Sequence, residues 1–253
     1  MIITNEVKKM ILDIYKDSFE YSAKDWKTLL ILGVCCLFSF LILPAFIVTG
    51  YYYRVLDKGV HGVINGRDPL PEFDDIVSIF VDGLKVVGVQ IVYILIPIVI
   101  FLIFAAIASV TGDFLGTVSM IIGCLITFIT LVFTCLMREI ALCHMAENNG
   151  LLSKAFAFSE IKEAIDKIGW FNCIATYLGL IIISITLSIV VTTIISLIFA
   201  VFGISGALLG VNGGGILLVG ILINFLISMF LIGPYLSIFN ARSIGLLYTM
   251  QLE

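Results

Sequence analysis

Charged residues are scarce in this sequence, and four long stretches contain none at all. Asp, Glu, Lys and Arg make up 13% of the 253 residues, while hydrophobic residues make up 61%. The uncharged stretches are Thr28–Tyr53, Val86–Gly112, Phe114–Met137 and Ile168–Ala241. With a mean hydropathy of +1.19, this pattern excludes an ordinary soluble domain.

Motifs that carry chemistry are also missing. The six cysteines form no C-x-x-C pair, the two histidines have no third ligand type at metal-binding spacing, and no Ser or Cys lies in a nucleophile motif. The net charge of −4 makes nucleic acid an unexpected partner. We therefore expect no catalytic residue, no cofactor and no enzyme activity. Membrane lipids are the expected partners, and a second copy of the chain is a candidate partner.

The uncharged stretches divide into five apolar units. A helix needs about 20 residues to cross the bilayer core of about 30 Å, and each unit is long enough. The sequence thus predicts an all-α polytopic membrane helix bundle of about five spans, forming one integral membrane domain over residues 1–253. The units are Leu29–Gly50, Val86–Val110, Phe114–Met137, Phe171–Phe202 and Ile216–Phe239.

The connections between the units predict the topology. Very short segments join the second unit to the third and the fourth to the fifth, which indicates two tight hairpins on one face of the membrane. The opposite face receives Arg54–Lys85 and Arg138–Lys167, with four Lys or Arg residues each. The positive-inside rule places these segments in the cytoplasm, which predicts a multi-pass protein of the cell membrane.

The first unit leaves two alternatives open. If Leu29–Gly50 crosses the membrane, residues 1–27, an amphipathic segment with five lysines, lie outside. If Pro44 bends the unit into a re-entrant hairpin, both of its ends remain on the cytoplasmic side.

Each charged segment contains a helical pattern with one apolar face. From Glu72 onward, Phe73 and Phe80 share a face, and in the second segment Phe158 and Ile165 do so. We expect two interfacial amphipathic helices that run into the following spans. Glu72, Asp74 and Asp75 are expected in the first helical turn, because acids stabilise a helix N-terminus. Before them, Pro69 and Pro71 block helix formation through a turn.

The two charged segments also predict an internal repeat with a period near 85 residues. Arg54 corresponds to Arg138 in this alignment, and each arginine is followed by a glycine turn, an amphipathic helix and a span. We predict two parallel repeats and a partial third. Their approximate bounds are 29–110, 114–202 and 216–250.

The acidic loop has two interpretations. Its carboxylates could bind a metal ion or a cationic lipid headgroup, or they could cap a helix and face solvent. The second repeat keeps the apolar face but not the acids, which favours capping, so no metal site is expected. The metal candidates are Asp68, Glu72, Asp74, Asp75 and Asp82; the positions predicted to be structural and interfacial are Arg54, Pro69, Pro71, Phe73, Phe80, Arg138, Phe158 and Ile165.

Four short stretches of this sequence resemble a known family. They are "KDWKTLLILG" (Lys24–Gly33), "GYYYRVL" (Gly50–Leu56), "NGRDPLPEFDD" (Asn65–Asp75) and "FVDGLK" (Phe80–Lys85). Together they resemble the archaeal membrane proteins of the 4013 family of domains of unknown function, over nearly the whole chain. The resemblance implies a polytopic protein of the archaeal cytoplasmic membrane. It implies no activity and no functional residues.

Three functions fit these observations. Interfacial helices and an uncharged core favour a non-enzymatic protein that organises or scaffolds the membrane. A transporter or channel for a neutral or lipidic solute is the alternative, and a lipid-headgroup enzyme at the acidic loop 65–82 is the third. A central cavity with converging polar groups would favour the transporter, whereas a dry bundle would favour the scaffold.

Overall fold

The computed structural model describes residues 2–210 and 212–251, and these residues form an all-α protein, as predicted. Ile42 and Gly169, both with positive φ, interrupt the helical path where direction changes. The helices are α1 (Ile2–Ser22), α2 (Trp26–Leu37), α3 (Leu43–Val60), α4 (Ile76–Val110), α5 (Asp113–Glu147), α6 (Phe158–Ile168), α7 (Trp170–Leu208), α8 (Gly213–Ile227) and α9 (Gly233–Thr249).

Four helical segments are long and apolar enough to cross a membrane. They are α4, α5, α7 and the continuous segment of α8 and α9, with 35, 35, 39 and 37 residues. At about 1.5 Å per residue, each is longer than 50 Å and exceeds a bilayer core of about 30 Å. Each therefore has a membrane part and a part that continues beyond the membrane. The polytopic prediction is confirmed.

The long segments pair into two hairpins. Helices α4 and α5 turn at Thr111 and Gly112 and form hairpin A, whereas α7 and α8 turn after Leu208 and form hairpin B. Small residues permit close packing inside each hairpin: Gly123 faces Phe104, and Gly220 faces Phe199. The two hairpins contact each other chiefly through α5 and α7. Their membrane parts otherwise diverge.

The first apolar unit doubles back. Helix α2 has 12 residues, a short 3-10 turn follows, and Pro44 lies in the first turn of α3. Both ends of the unit reach the same loop: Lys24 Nζ donates to the Asp68 carbonyl, and Tyr51 donates to the Pro71 carbonyl. Four of the five predicted apolar units thus form long helices, and Leu29–Gly50 follows the re-entrant alternative.

The N-terminal segment consequently lies at the charged end of the bundle. Helix α1 packs against α9, and Tyr21 donates to the Pro69 carbonyl. All segments that carry Lys or Arg then meet at one end, which we call the base. The base comprises α1, α3, α6, α9, the start of α4 and the end of α5.

The proposed internal repeat stays a prediction. Its first elements differ, because α5 is one continuous helix whereas Leu29–Gly50 is broken at Ile42. Its later elements correspond better, since Arg54 and Arg138 both lie in the C-terminal half of their helices, α3 and α5.

The predicted start of the first amphipathic helix is wrong. Helix α4 begins at Ile76, and the Asp75 side chain caps it by accepting from the Ser78 backbone N–H. Asp74 in turn accepts from the Asp75 N–H, and Glu72 precedes the helix altogether. Residues 69–75 stay non-helical because two prolines start the segment and local carboxylate bonds hold its end.

A fully buried arginine joins the parts of the base. The Arg242 guanidinium donates to Asp17 at 3.1 Å and to Asp68 at 3.0 Å. It also donates to the carbonyls of Lys58 and Val63 and lies over the Tyr21 ring. One side chain thus connects α1, the end of α3, the following loop and α9.

The crossing of α3 and α4 generates our first prediction. A Cβ at Gly83 would overlap the Phe46 carbonyl, whereas Gly88, also in α4, has no neighbour within 4 Å. We expect Gly83→Ala to destabilise the protein by about 1–3 kcal/mol through overpacking. Gly88→Ala is the matched control and should stabilise by about 0.5–1 kcal/mol. Thermal unfolding in detergent measures both, and equal midpoints would contradict the crossing.

The buried arginine generates the second prediction. Arg242→Gln leaves the Asp17 carboxylate buried without its cation, so we expect a loss of about 3–5 kcal/mol in unfolding free energy. Arg54→Gln is the matched control: Arg54 is partly exposed and pairs with Asp82 at 3.4 Å. It should cost no more than about 1 kcal/mol. Denaturation of both variants in the same detergent measures the two losses. Similar losses of unfolding free energy for Arg242→Gln and Arg54→Gln would contradict the role of Arg242 in holding the base together.

Candidate functional site

A cavity opens where the two hairpins diverge above the base. Its volume is about 470 Å³, and α3, α4, α5, α7 and α9 all contribute to its lining. Apolar side chains such as Leu180, Ile181 and Ile185 form part of its wall. The polar lining residues are Thr49, Tyr52, Gln90, Arg138, Glu139, Tyr177, Ser184, Ser237 and Asn240. The cavity therefore combines an apolar wall with converging polar groups.

An acid and a base lie side by side in this cavity. Arg138 Nη2 donates to Glu139 Oε1, and the Tyr52 hydroxyl donates to Glu139 Oε2. The Glu139 side chain is 9% exposed and that of Arg138 is 26% exposed. The Arg138 Nε atom is buried and has no hydrogen-bond partner among the described residues. The pair is neutral in total, yet one of its donors is unused.

The run of three tyrosines in α3 explains how Tyr52 reaches this pair. Successive residues of an α-helix point about 100° apart, so the three side chains leave α3 in different directions. Tyr51 donates to the Pro71 carbonyl, Tyr52 donates to Glu139, and Tyr53 lines a separate pocket near the base. Sequence reasoning missed Tyr52 and Glu139, because their contact joins positions 87 residues apart.

Uncharged polar groups extend the cavity upward. Ser184 on α7 donates to the Asn240 side chain on α9 at 3.3 Å, and Gln90 enters from α4. Further along α7, Ser196 and Thr192 contact Asn224 of α8. The serines and threonines of α7 thus serve the cavity at one end and helix packing at the other.

The acidic loop lines a second, more open pocket at the base, of about 650 Å³. Arg54 lies 3.4 Å from Asp82 and 3.9 Å from Asp74, and Lys85 lies 3.7 Å from Asp82. Burial raises the pKa of Asp57 above its ordinary value. Most carboxylates of this pocket therefore already have a cation or a backbone N–H as partner.

The metal candidates are dispersed by these partners. Asp68 binds Arg242, Asp74 and Asp82 face Arg54, and Asp75 caps α4. Among residues 2–210 and 212–251, no three acidic, histidine or cysteine side chains form a group that could hold a metal ion. The loop geometry serves the fold of the base.

The aromatic residues predicted to be interfacial pack against the protein. Phe73 stacks on Tyr51 with ring centroids 4.6 Å apart, and Phe80 meets Phe46 edge-on at 5.3 Å.

In the second segment, Phe158 lies 5.9 Å from Tyr93, whereas Ile165 is fully buried. The carbonyl groups of Pro69 and Pro71 accept tyrosine hydroxyls, so the prolines also fix the loop to α1 and α3.

The two histidines occupy different environments. His61 is exposed at the end of α3, whereas His144 is buried between the Tyr248 hydroxyl at 2.8 Å and Glu160 at 2.9 Å. Hydrogen bonds from Lys154 and His144 hold the pKa of Glu160 below its ordinary value. His144 therefore connects α5, α6 and α9, a role that sequence reasoning did not predict.

Comparisons with known proteins agree with the resemblance of the sequence motifs. No curated protein and no solved structure gives a significant match to this chain. A family model of a protein of unknown function matches residues 37–200, a range that includes α3 to α6, most of α7 and most of the cavity lining. The chain belongs to this family, DUF4013.

Proposed function

We propose that this membrane protein binds a neutral or lipidic solute in the cavity between hairpins A and B and moves it across or within the membrane. The observation that carries the proposal is the cavity itself, with a volume of about 470 Å³. Its end nearest the base, which we call the floor, is formed by Tyr52, Arg138 and Glu139. A protein that only organised the membrane would need no such space. Polar groups in an apolar environment are costly and are typical of functional sites.

The charges of the cavity disfavour a bare ion as the solute. Among the described residues that line it, Arg138 and Glu139 are the only ones with a charge at neutral pH, and they bond to each other. Transport of a bare ion would call for an unpaired charged or titratable partner, which this pair does not offer. A polar group with both donors and acceptors fits better.

Access from the lipid phase supports a lipidic solute. The membrane parts of the hairpins diverge, and few of their residues are buried. In the apolar part of each of the four long segments, only 11%, 22%, 6% and 6% of the residues are buried. The cavity wall nearest these parts includes the apolar residues Ile181 and Ile185. A molecule with an apolar chain can therefore enter sideways between the hairpins.

We also propose that the base lies in the cytoplasm and that the membrane is the cell membrane. The Lys- and Arg-bearing segments meet at the base. Neither hairpin turn carries a Lys or Arg, and the charged residue beside the turn of hairpin A is the acid Asp113. This distribution supports an orientation with the base inside.

Two asparagines of the α8–α9 segment offer a matched test. Asn240 lines the cavity, whereas Asn224 contacts Thr192 and Ser196 outside it. In liposomes with the purified protein, we expect faster transfer of fluorescent lipids between leaflets, or faster efflux of glycerol, than in protein-free liposomes. Asn240→Leu should lower the protein-dependent rate about fivefold or more, as expected for one lost hydrogen bond, and Asn224→Leu should change it less than twofold.

The contrary results are equally clear. Rates equal to those of protein-free liposomes for both solutes would reject transport and favour a scaffold. A wild-type rate that both variants retain would place the path outside this cavity.

A further inference from the structure

One donor at the floor of the cavity is left without a partner. The Arg138 guanidinium carries five N–H groups, and its bond to Glu139 uses only Nη2. The Nε atom is buried and has no hydrogen-bond partner in the described parts of the chain. A buried donor of a charged group is costly when it stays unsatisfied. The Nη1 group has no partner among the described residues either, but it is not buried, and the Arg138 side chain is 26% exposed. An acceptor from outside the protein can therefore bind to Nη1.

The groups around Arg138 indicate the chemistry of that acceptor. Guanidinium groups match phosphate and carboxylate oxygens in geometry and charge. Next to Arg138, Glu139 keeps lone pairs beyond the two that accept from Arg138 and Tyr52. Gln90 and Asn240 add amide groups to the same lining. The floor thus offers donors for an anionic oxygen and acceptors for an ammonium or hydroxyl group.

The total charge of the floor further limits which anionic groups can bind there. Arg138 and Glu139 sum to zero, so a group with two negative charges would meet the Glu139 carboxylate without a compensating cation. A phosphodiester has one negative charge, and an ammonium or hydroxyl group on the same headgroup can donate to Glu139. The remaining wall, with Leu180, Ile181 and Ile185, is apolar and fits hydrocarbon.

We propose that the cavity floor binds the headgroup of a phosphodiester lipid. Arg138 donates from Nη1 to a phosphate oxygen, Glu139 accepts from the ammonium or hydroxyl group, and the acyl or alkyl chains lie between hairpins A and B. The inference rests on the proposed function, because it names the class of solute that the same cavity takes.

Lipid binding to the purified full-length protein tests the subsite. Native mass spectrometry in detergent, with titration of phosphatidylethanolamine, phosphatidylglycerol or phosphatidic acid, gives apparent affinities for each lipid. For Arg138→Gln we expect a loss of about tenfold or more for the two phosphodiester lipids, as for a lost charge-assisted hydrogen bond. Arg54→Gln is the matched control, since Arg54 lines the other pocket, and it should change affinity less than twofold.

A second variant tests the role of the carboxylate. Glu139→Gln removes the negative charge, so the affinity for phosphatidic acid should rise relative to phosphatidylethanolamine by about tenfold. Thermal unfolding without lipid shows whether the variants fold. If Arg138→Gln does not fold, Gln90→Leu replaces it, because Gln90 lines the same cavity without charge. It should weaken phosphodiester lipids about threefold or more.

Several outcomes would overturn the subsite. The first is an unchanged lipid affinity in folded Arg138→Gln, or in Gln90→Leu where Arg138→Gln does not fold. The second is a loss of lipid affinity in Arg54→Gln that equals the loss in Arg138→Gln. The third is an unchanged preference between phosphatidic acid and phosphatidylethanolamine in Glu139→Gln. Competition by water-soluble glycerophosphoethanolamine as strong as by the lipid would assign the floor to a soluble phosphodiester instead.

The failure of this inference can be told apart from the failure of the proposed function. If Asn240→Leu lowers solute transfer but Arg138→Gln leaves lipid affinity unchanged, the protein transports another solute. If lipid binding depends on Arg138 while no transfer occurs, the headgroup subsite holds and transport does not.

Discussion

The structure depends on one buried cation. Arg242 has no exposed surface and bonds to Asp17, Asp68 and two carbonyls near the end of α3. Withdrawal of a guanidinium from water costs desolvation free energy, and only a complete set of hydrogen-bonding and charged partners offsets that cost. Because those partners come from α1, α3 and the loop before α4, the base can form only when these elements meet around α9.

The fixed base determines where the hairpins start and so creates the cavity. Helix α3 packs tightly on α4, since Gly50 and Gly83 leave no room for side chains at the crossing. It also packs on α9, where Gly59 faces Gly245. Because α3 lies between α4 and α9, it keeps the two hairpins apart on the membrane side of the base. The space that remains is lined by Tyr52 and by both hairpins, and lipid can reach it from the side.

The prediction of elements succeeded where the local pattern was sufficient. Long apolar runs and the short segments between them located the long helices and both hairpins. The start of α4 was misplaced at Glu72, because the apolar spacing continues upstream of the true N-cap, Asp75. Leu29–Gly50 is long enough to span by composition, and only the positive φ of Ile42 and its contacts with the base show that it doubles back. The arginine partners of the loop carboxylates, Arg242 for Asp68 and Arg54 for Asp82, were not predicted.

The sequence by itself determined that the chain lives in a membrane, since segregation of charge fixes which segments can enter hydrocarbon. It determined the hairpins too, because three residues between the second and third apolar units, and a short glycine-rich segment between the fourth and fifth, leave no other path. Only the tertiary structure decided which polar groups meet. Tyr52 and Glu139 are far apart in the chain, as are Asp17 and Arg242, and no local spacing records such pairs. Their contacts depend on the packing of whole helices at the base, and this packing brings a neutral acid–base pair to a cavity that also has an apolar wall.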